Sequence, residues 1–306
     1  AIRLICAVSF SEFSLNSWHC SSSSLLRFPR IFIAMVGGAA LAVSGALLQA
    51  VIRNPLADPS ILGISSGAGL GVAFVMLLYG GSVSVGMLSI GGFATVLAAA
   101  FIGATAVTLL MFSLSSIIRS DAMLLIAGVM VGYLSSSIIV LLSYYASEEG
   151  LRAYTLWGMG NFASVSTERL PLFSIIAVVC LSASVLLVKS LNILSLGTLY
   201  AENLGVNTRQ LRGTVLIVTG ILTALTTSFC GPVAFIGLAV PHIARMALHT
   251  DDYRKLLPAT ILTGGGVAMA CNLACTMTPS GTMLPVNAVT PVIGAPVILY
   301  VMTKRR

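Results

Sequence analysis

The chain has 306 residues, of which 57% are hydrophobic and only 8% charged, whereas an ordinary soluble domain carries roughly 25% charged residues. This composition indicates an integral membrane protein and excludes a soluble enzyme, a nucleic-acid-binding module and a disordered tail. The formal net charge is +7, from 16 Lys and Arg against 9 Asp and Glu, and in a membrane protein the placement of such cations reports the orientation of the loops.

Apolar runs separated by polar or Pro- and Gly-containing stretches predict an all-α, polytopic membrane protein with about ten spans. The predicted spans are residues 1–13 (partial), 28–52, 61–79, 87–114, 122–146, 170–188, 213–230, 233–248, 256–276 and 286–302. The sequence starts at Ala1 without a Met, so its first apolar run is either a signal-peptide remnant or a truncated first span. We favour the truncated span.

The Lys and Arg residues divide unevenly between the two sides of this topology. With the amino terminus inside, the cytoplasmic side receives Arg3, Arg53, Arg119, Lys189, Arg209, Arg212, Arg245, Arg254, Lys255, Lys304, Arg305 and Arg306. The outer side receives only Arg27, Arg30, Arg152 and Arg169. This positive-inside bias predicts that both termini are cytoplasmic.

Three loops and several glycines stand out along the chain. The segment Asn54 to Pro59 places two prolines and an Asp in a cytoplasmic turn, and residues 147–168 form a longer outer loop. Residues 189–212 form the longest inner connection, within which 198–204 is predicted to be a short surface helix. Small residues four apart, as in Gly63, Gly67 and Gly71 or in Gly128 and Gly132, predict close helix packing.

The middles of the predicted spans contain no Asp, Glu or Lys, although ion-coupled transporters and proton pumps usually need one at the coupling site. The sequence also lacks a G-x-x-x-x-G-K-[ST] phosphate loop. If ATP drives this protein, a separate subunit must therefore supply the motor.

No catalytic residue and no metal site are predicted. Residues 63–67 match the G-x-S-x-G nucleophile elbow around Ser65, but the match opens a glycine-rich helix and not a strand-to-helix turn, so helix packing is the preferred interpretation. The three histidines do not cluster, and Cys271 and Cys275 alone are weak evidence for a soft-metal site.

Arg27 and Arg30 bracket Phe28 and Pro29 at the outer mouth of a span, against the positive-inside trend. One interpretation is that these side chains reach lipid headgroups. The other is that they form a charged socket for carboxylates on an external partner. Spacing alone leaves both open.

The longest motifs resemble one transporter family. Residues 26–59 (LRFPRIFIAMVGGAALAVSGALLQAVIRNPLADP), 191–212 (LNILSLGTLYAENLGVNTRQLR), 235–245 (FIGLAVPHIAR) and the ending LPVNAVTPVIGAPVILY occur in the order of the FecCD family of ABC importer permeases. That family includes permeases for vitamin B12, haem and iron-siderophores. The resemblance covers nearly all of the chain after Phe13.

The resemblance implies a type II ABC importer permease fold, with residues 1–306 as one transmembrane permease domain and 189–212 as its cytoplasmic coupling loop. It implies a homodimer with the translocation path at the dimer interface, in the cytoplasmic (inner) membrane. Two cytoplasmic ATPase subunits, carrying the ATP and Mg, bind below, and a periplasmic or lipid-anchored binding protein docks above. The chain itself is expected to bind no cofactor and no nucleic acid.

Site residues also follow from the resemblance. The ATPase-coupling helix is assigned to Gly197, Leu199, Ala201, Glu202, Leu204, Gly205 and Val206. Arg27 and Arg30 are assigned to salt bridges with glutamates on the binding protein. Ser120 and Asp121 are placed near the cytoplasmic gate, with an N-cap role as the alternative.

The sequence departs from the family pattern at four positions. Thr276 and Met283 stand where many relatives carry an Arg and a Glu, and Ala234 and Asn287 each stand where a Gly is common. For the substrate, an iron-siderophore or haem is expected first and cobalamin next. Another metal or an oxyanion such as molybdate is an alternative, as is an ATP-independent facilitator.

Overall fold

The computed structural model describes residues 17–304 apart from 80–82, 86–87, 91, 119, 163–164, 166 and 278–282. The helices are α1 (Ser17–Ile52), α2 (Ile64–Tyr79), α3 (Gly92–Ile117), α4 (Asp121–Tyr145), α5 (Glu148–Gly158), α6 (Leu170–Leu186), α7 (Val188–Ser195), α8 (Thr198–Asn203), α9 (Thr208–Cys230), α10 (Ile236–Leu248), α11 (Tyr253–Thr276) and α12 (Val286–Lys304). A two-stranded antiparallel hairpin, β1 (Val83–Val85) and β2 (Leu88–Ile90), joins α2 to α3. A 3₁₀ turn, Thr167–Arg169, precedes α6.

The predicted multi-span, all-α architecture is confirmed. Among the described residues, six helices are long and apolar enough to cross a membrane, and three shorter apolar helices accompany them. The remaining predicted span, 1–13, lies outside the described residues, so the count of ten stays a prediction.

The long helices run alternately up and down, which gathers their ends into two groups. At one end of the bundle, which we call the basic end, α1, α3, α6 and α10 finish and α2, α4, α9 and α11 begin. Helices α7 and α8 also lie at this end. Contacts such as Arg53 to Leu194 and Asn192 to Asp252 join these ends. We call the other end, with α5 and the start of α12, the opposite end.

The core lies around α1 and α9, whose span windows are 78% and 83% buried. Glycines allow α1 to touch its neighbours: a Cβ on Gly45 would overlap the carbonyl oxygen of Gly237 in α10, and one on Gly38 would collide with Ala268 in α11. Close backbone approach through small residues is the usual packing solution in membranes, because lipid offers no hydrophobic drive for helix association.

The predicted glycine stripe packs α2 against α3, as expected. Gly67 lies against Val107 and the Gly103 carbonyl, and Gly71 lies against the carbonyl of Ala99. Gly63 precedes the helix, with φ of 77°, and the helix begins at Ile64. Ser65 therefore lies in the first turn of a packing helix, and the helix-packing interpretation of residues 63–67 is confirmed.

Several span boundaries and one loop differ from prediction; α1, for example, begins at Ser17 and α9 at Thr208, ahead of the predicted residues 28 and 213. The span predicted from residue 87 begins at Gly92, because Leu88–Ile90 pairs with Val83–Val85 in the hairpin. The span predicted from residue 233 begins at Ile236, because Phe235 adopts a left-handed conformation that interrupts the helix. The outer loop 147–168 contains α5, which Ser147 caps by accepting a hydrogen bond from the Gly150 backbone N–H.

Asn287, one of the departures from the family pattern, joins three elements at the opposite end. Its side-chain amide donates to the carbonyls of Gly158 (3.1 Å) and Pro232 (2.6 Å) and accepts from the Ala234 N–H (3.2 Å). These bonds satisfy backbone groups freed where α9 stops and α10 has not yet begun, as buried backbone requires. Asn287 is thus a structural residue in this chain.

Candidate functional site

The predicted surface helix in the inner connection is present as α8, a helix of six residues at the basic end. It projects apolar side chains away from the bundle. Leu196, Leu199, Tyr200 and Leu204 are 66%, 79%, 53% and 55% exposed in the described structure. We call these four residues the apolar knob. Large exposed apolar groups beyond the end of a membrane bundle indicate a contact surface for a protein partner.

The residues assigned to coupling by resemblance divide into two groups. Leu199, Glu202, Leu204 and Gly205 are exposed, whereas Ala201 is fully buried and Val206 packs against the core. Ala201 and Val206 therefore hold α8 on the bundle, and Gly197, which is half-buried, lies just before the helix. Tyr200 and Leu196, which belong to the apolar knob, were missed; their exposure depends on where the helix starts and turns, which spacing alone does not reveal.

Glu202 is exposed, but its carboxylate is hydrogen-bonded within the chain. Its carboxylate accepts a hydrogen bond from the Thr208 hydroxyl at 2.7 Å, across the turn between α8 and α9. The Val206 N–H also donates to the carbonyl of Ala201 (3.0 Å). Glu202 thus links α8 to the first turn of α9.

On the preceding side, α7 is fixed to two spans. The Arg53 guanidinium donates to the Leu194 carbonyl (3.3 Å), and the Asn192 amide donates to the Asp252 carboxylate (2.6 Å) while accepting from the Tyr253 N–H (2.8 Å). The Asp252 carboxylate also accepts from the Arg254 backbone N–H (2.9 Å). These two hydrogen bonds, the Arg254 one first, hold the pKa of Asp252 below its ordinary value.

The loop between α1 and α2 folds against α10. The His242 ring nitrogen Nε2 lies 2.8 Å from the Pro55 carbonyl oxygen, and Arg245 donates to the Gln49 side chain (2.7 Å). Asp58 is buried with Ser60 as its hydrogen-bond donor, and burial raises the pKa of its carboxyl despite those bonds. The predicted turn at Asn54 to Pro59 is therefore a packed element that joins α1 to α10.

The two residues assigned to the gate lie in the turn between α3 and α4. The Ser120 hydroxyl accepts from the Met123 N–H at 3.5 Å, which makes Ser120 the N-cap of α4. Asp121 forms an ion pair with Arg212 of α9, with 3.0 Å between Oδ1 and Nη2. The structure thus shows the alternative N-cap role for Ser120; a gating role for either residue stays a prediction.

At the opposite end, the two arginines predicted to dock a binding protein lie in α1. The Arg30 Nε donates to the Asn272 side chain of α11 at 2.8 Å, so part of its guanidinium is engaged inside the chain. The side chain of Arg27 lies outside the described part of the structure. Around this end, Glu148, Glu149 and Arg152 are exposed on α5, and the Arg169 guanidinium stacks 4.4 Å from the Phe93 ring centre.

Two helices leave broad faces uncovered by the described chain, and these faces differ in composition. The span window of α4 is 17% buried and that of α6 is 22% buried. The exposed face of α4 mixes methionine, tyrosine and serine side chains (Met123, Met130, Tyr133, Ser137 and Tyr144) with aliphatic ones (Ile126, Leu134, Val140 and Leu141). Apart from Ser182, the exposed face of α6 is aliphatic, with Leu172, Ile175, Val178, Val179 and Leu186.

Within the described ranges, no three His, Cys, Asp or Glu residues lie close enough together to hold a metal ion. The four described cysteines are buried and unpaired. The described arrangement therefore offers exposed surfaces for partners and a mixed helix face.

Comparison with known proteins fits this arrangement. The model of the FecCD transport family matches residues 4–304. The chain is 33% identical over 300 residues to the vitamin B12 import system permease protein BtuC of Photorhabdus laumondii, covering 95% of this chain and 85% of that protein. It is 33% identical over 290 residues to the hemin transport system permease protein HmuU of Yersinia pestis, covering 94% and 84%.

Solved structures agree with the same class. A structure described as an inward-facing conformation of a metal-chelate type ABC transporter superposes with a TM-score of 0.85 at 29% identity, covering 97% of this chain and 92% of that one. PsaBC from Streptococcus pneumoniae shares the fold at a TM-score of 0.58 and 14% identity, covering 90% of each chain. The fold and its surfaces define a multi-pass membrane permease of the ABC-importer class. The chain belongs to the FecCD transport family.

Proposed function

We propose that this chain is the permease subunit of an ABC importer that takes up a metal chelate delivered by a binding protein. An iron-siderophore or haem is the first expectation for the substrate and cobalamin the second. The vitamin B12 and hemin permeases among its relatives support this substrate class. In this proposal ATP and Mg reside on a separate ATPase chain, and the cytoplasmic side is the basic end.

The observation that carries the proposal is the apolar knob at the basic end. A facilitator working without ATP needs no apolar projection beyond the membrane, whereas an ATP-driven permease needs a rigid contact with its motor. Leu199, at 79% exposed, is the most exposed residue of the apolar knob. We assign the knob to a groove on the ATPase, one copy of the permease for each of two ATPase subunits.

The composition of the α4 face supports a position for the path. Lipid tails favour an aliphatic surface such as that of α6, while tyrosine and serine in the middle of a span indicate a partly wet environment. We place the face of α4 at the interface of two permease copies, where it lines the path. Methionine suits such a lining because its flexible thioether adapts to bulky ligands.

At the opposite end, we assign Arg27 and Arg30 to carboxylates of the binding protein. Arg30 keeps a fixed orientation through Asn272, and a preoriented guanidinium binds a carboxylate with less loss of side-chain freedom. Replacing either arginine with Glu should slow binding-protein association most strongly at low salt, because surface charge acts mainly on encounter.

The central experiment combines copurification with transport. The chain is expressed with the ATPase and binding protein encoded nearest to it, purified, and placed in lipid vesicles with the binding protein loaded with a ferric siderophore, haem, cobalamin or molybdate. We expect the ATPase to copurify and one loaded binding protein to stimulate both ATP hydrolysis and uptake. Uptake without ATP would favour the facilitator, and stimulation by molybdate would favour the oxyanion alternative.

A matched pair of variants tests the knob itself. Leu199→Glu places a charge in the proposed groove and should abolish copurification of the ATPase. Leu151→Glu, on exposed α5 at the opposite end, should leave copurification unchanged. Equal recovery of the ATPase with both variants would remove the knob from the motor contact.

A second pair tests the path. Cysteines introduced by Ser137→Cys on α4 and Ser182→Cys on α6 both occupy exposed positions within a span. A membrane-impermeant maleimide should label the α4 cysteine in the assembled importer and leave the α6 cysteine unlabelled. The reverse pattern would place the path on α6.

A further inference from the structure

Two arginines at the start of α9 bind the turn between α3 and α4. The Arg209 Nη2 donates to the Ser116 carbonyl (3.2 Å), and the Arg212 Nη1 donates to the Ile118 carbonyl (3.4 Å). The same Arg212 guanidinium pairs with the Asp121 carboxylate at 3.0 Å. One side chain of α9 therefore binds both the end of α3 and the start of α4.

These contacts supply partners to carbonyls at the end of α3. The last carbonyls of a helix have no partners within it, and a cation near them is favourable. The last turn of α3 contains no basic residue. The arginines of α9 supply that charge from another helix, so the position of the α3–α4 turn depends on where α9 begins.

Arg212 is the more buried of the two partners in the ion pair. Its side chain is 13% exposed, against 38% for Asp121. An exposed pair contributes little, but a guanidinium largely withdrawn from water depends on its remaining partners. Removing either partner should therefore change the position of the turn more than removing Arg209, which is exposed.

The contacts of Arg209 and Arg212 with the α3–α4 turn are connected directly to α8. Asn207 caps α9 by accepting from the Gln210 N–H (3.0 Å), and the turn before it is closed by the bonds from Thr208 to Glu202 and from Val206 to Ala201. These bonds close the turn at Gly205 between α8 and α9, and Arg212 follows Arg209 within one helical turn. We expect a displacement of α8 to reach both arginines through this turn.

We propose that Arg212 is a positioning residue that transmits displacement of α8 to the α3–α4 turn, with Asp121 as its partner on that turn. This inference rests on the proposed function, because α8 is displaced only if an ATPase docks on it. It assigns a route by which closure of the ATPase dimer would displace Ser120 and Asp121. Arg209 has a lesser share through its bond to Ser116.

The test uses the complete importer in lipid vesicles, with Arg212→Ala, Arg212→Lys, Asp121→Asn and the exchange Arg212→Asp with Asp121→Arg. Three quantities are measured: ATPase copurification, uptake per ATP hydrolysed, and the distance between spin labels on Ser120→Cys of the two copies with and without ATP. Arg254→Ala, an exposed cation at the same end, is the control.

We expect Arg212→Ala to retain the ATPase but to lose about fivefold or more in uptake per ATP, the lower bound for an allosteric coupling. Its Ser120 label distance should no longer respond to ATP. Asp121→Asn, whose site is more exposed, should show the same loss without impaired folding, and the charge exchange should recover part of it. Arg212→Lys should recover less, since lysine lacks the planar fork whose separate nitrogens reach the Ile118 carbonyl and the Asp121 carboxylate.

The outcomes separate the two proposals. If the unmodified chain fails to copurify with an ATPase, the proposed function fails. If the unmodified importer is coupled and Asp121→Asn keeps normal uptake per ATP and a normal label response, the transmission role of Arg212 is overturned while the proposed function stands. Should Arg212→Ala fail to assemble, Asp121→Asn and the charge exchange decide the matter.

Discussion

The two flanks of α8 are attached to the bundle in different ways. On one flank, α7 is bonded to the end of α1 through Arg53 and to the start of α11 through Asn192, and Gly197 separates it from α8. Gly197 has φ of 126°, and a Cβ there would meet nothing within 4 Å. Both flanks have backbone hydrogen bonds to α8, but only on the α9 flank does a side-chain bond, from the Thr208 hydroxyl to Glu202, also join the two helices.

This difference indicates which elements move together. A glycine in a conformation that other residues avoid, with open space around it, permits rotation on the α7 flank. The α9 flank also contains such a glycine, Gly205, but there the Thr208 hydroxyl binds back to Glu202 of α8 and restrains the turn. We therefore expect α7 to stay with α1 and α11 while α8 and the start of α9 move as one body, and each prediction below weakens one flank and leaves the other intact.

The largest expected loss of stability follows from Asn192→Ala on the α7 flank. The change removes a hydrogen bond to the Asp252 carboxylate and one from the Tyr253 N–H, and so lowers the free energy of unfolding. Thermal unfolding of the purified chain in detergent measures it. Ser195→Ala, which removes a bond within α7 only, should change stability little. ATPase stimulation in the assembled importer should persist in both variants; its loss in Asn192→Ala alone would contradict a purely anchoring role.

Gly197→Ala should have the next largest effect, and it should lower both the stability and the rate of ATP-driven uptake. A Cβ at φ of 126° costs about 1–3 kcal/mol, so the backbone at the hinge must shift or strain. We expect a lower unfolding temperature together with slower ATP-driven uptake. Gly266→Ala is the control, because that glycine lies in α11 with open space and no unusual φ. A normal uptake rate in Gly197→Ala would show that the α7 flank needs no hinge.

Much of the fold could be predicted from the sequence, because long apolar runs have few alternatives in a membrane. The end of α1 at Ile52, the glycine packing of α2 and the short helix α8 were all predictable in this way. Helix α5 was missed although Ser147 followed by Glu148 and Glu149 is a recognisable helix start. Its length of 11 residues and amphipathic character make it look like a polar loop between spans.

The site was less predictable, for a physical reason. Arg212 and Asp121 are 91 residues apart, and Asn192 and Asp252 are 60 apart, so these pairs exist only after the helices are placed. In the sequence, such residues are recognisable only as polar or charged side chains near span ends. Likewise, Asn287 reads as a substitution of a common glycine, whereas its bonds to Gly158, Pro232 and Ala234 give it a clear role.

Weakening the α9 flank should give the opposite result to Asn192→Ala. Glu202→Ala removes the acceptor of the Thr208 hydroxyl, an exposed bond that contributes about 0.5–1 kcal/mol. We expect almost unchanged stability but a lower ratio of stimulated to basal ATP hydrolysis. Glu202→Gln keeps an acceptor oxygen and should preserve the ratio. Combining Glu202→Ala with Thr208→Val should add no further loss, since both remove one interaction; a fully additive loss would show that Glu202 acts elsewhere, such as on the ATPase itself.

The smallest expected effect is a pH dependence of the α7 flank. Hydrogen bonds from Arg254 and Asn192 hold the folded-state pKa of Asp252 below its ordinary value, which is about 3.9 in an unfolded chain. Ionised Asp252 therefore favours the folded state above that pH, and the contribution disappears as pH falls through the folded-state pKa. Unfolding temperatures measured between neutral pH and about pH 3 should fall less steeply in Asp252→Asn than in the unmodified chain. Because Asp121 lies on the other flank, Asp121→Asn should leave the contribution of Asp252 in place, and equal flattening in both variants would show that the acid sensitivity does not come from the α7 anchor.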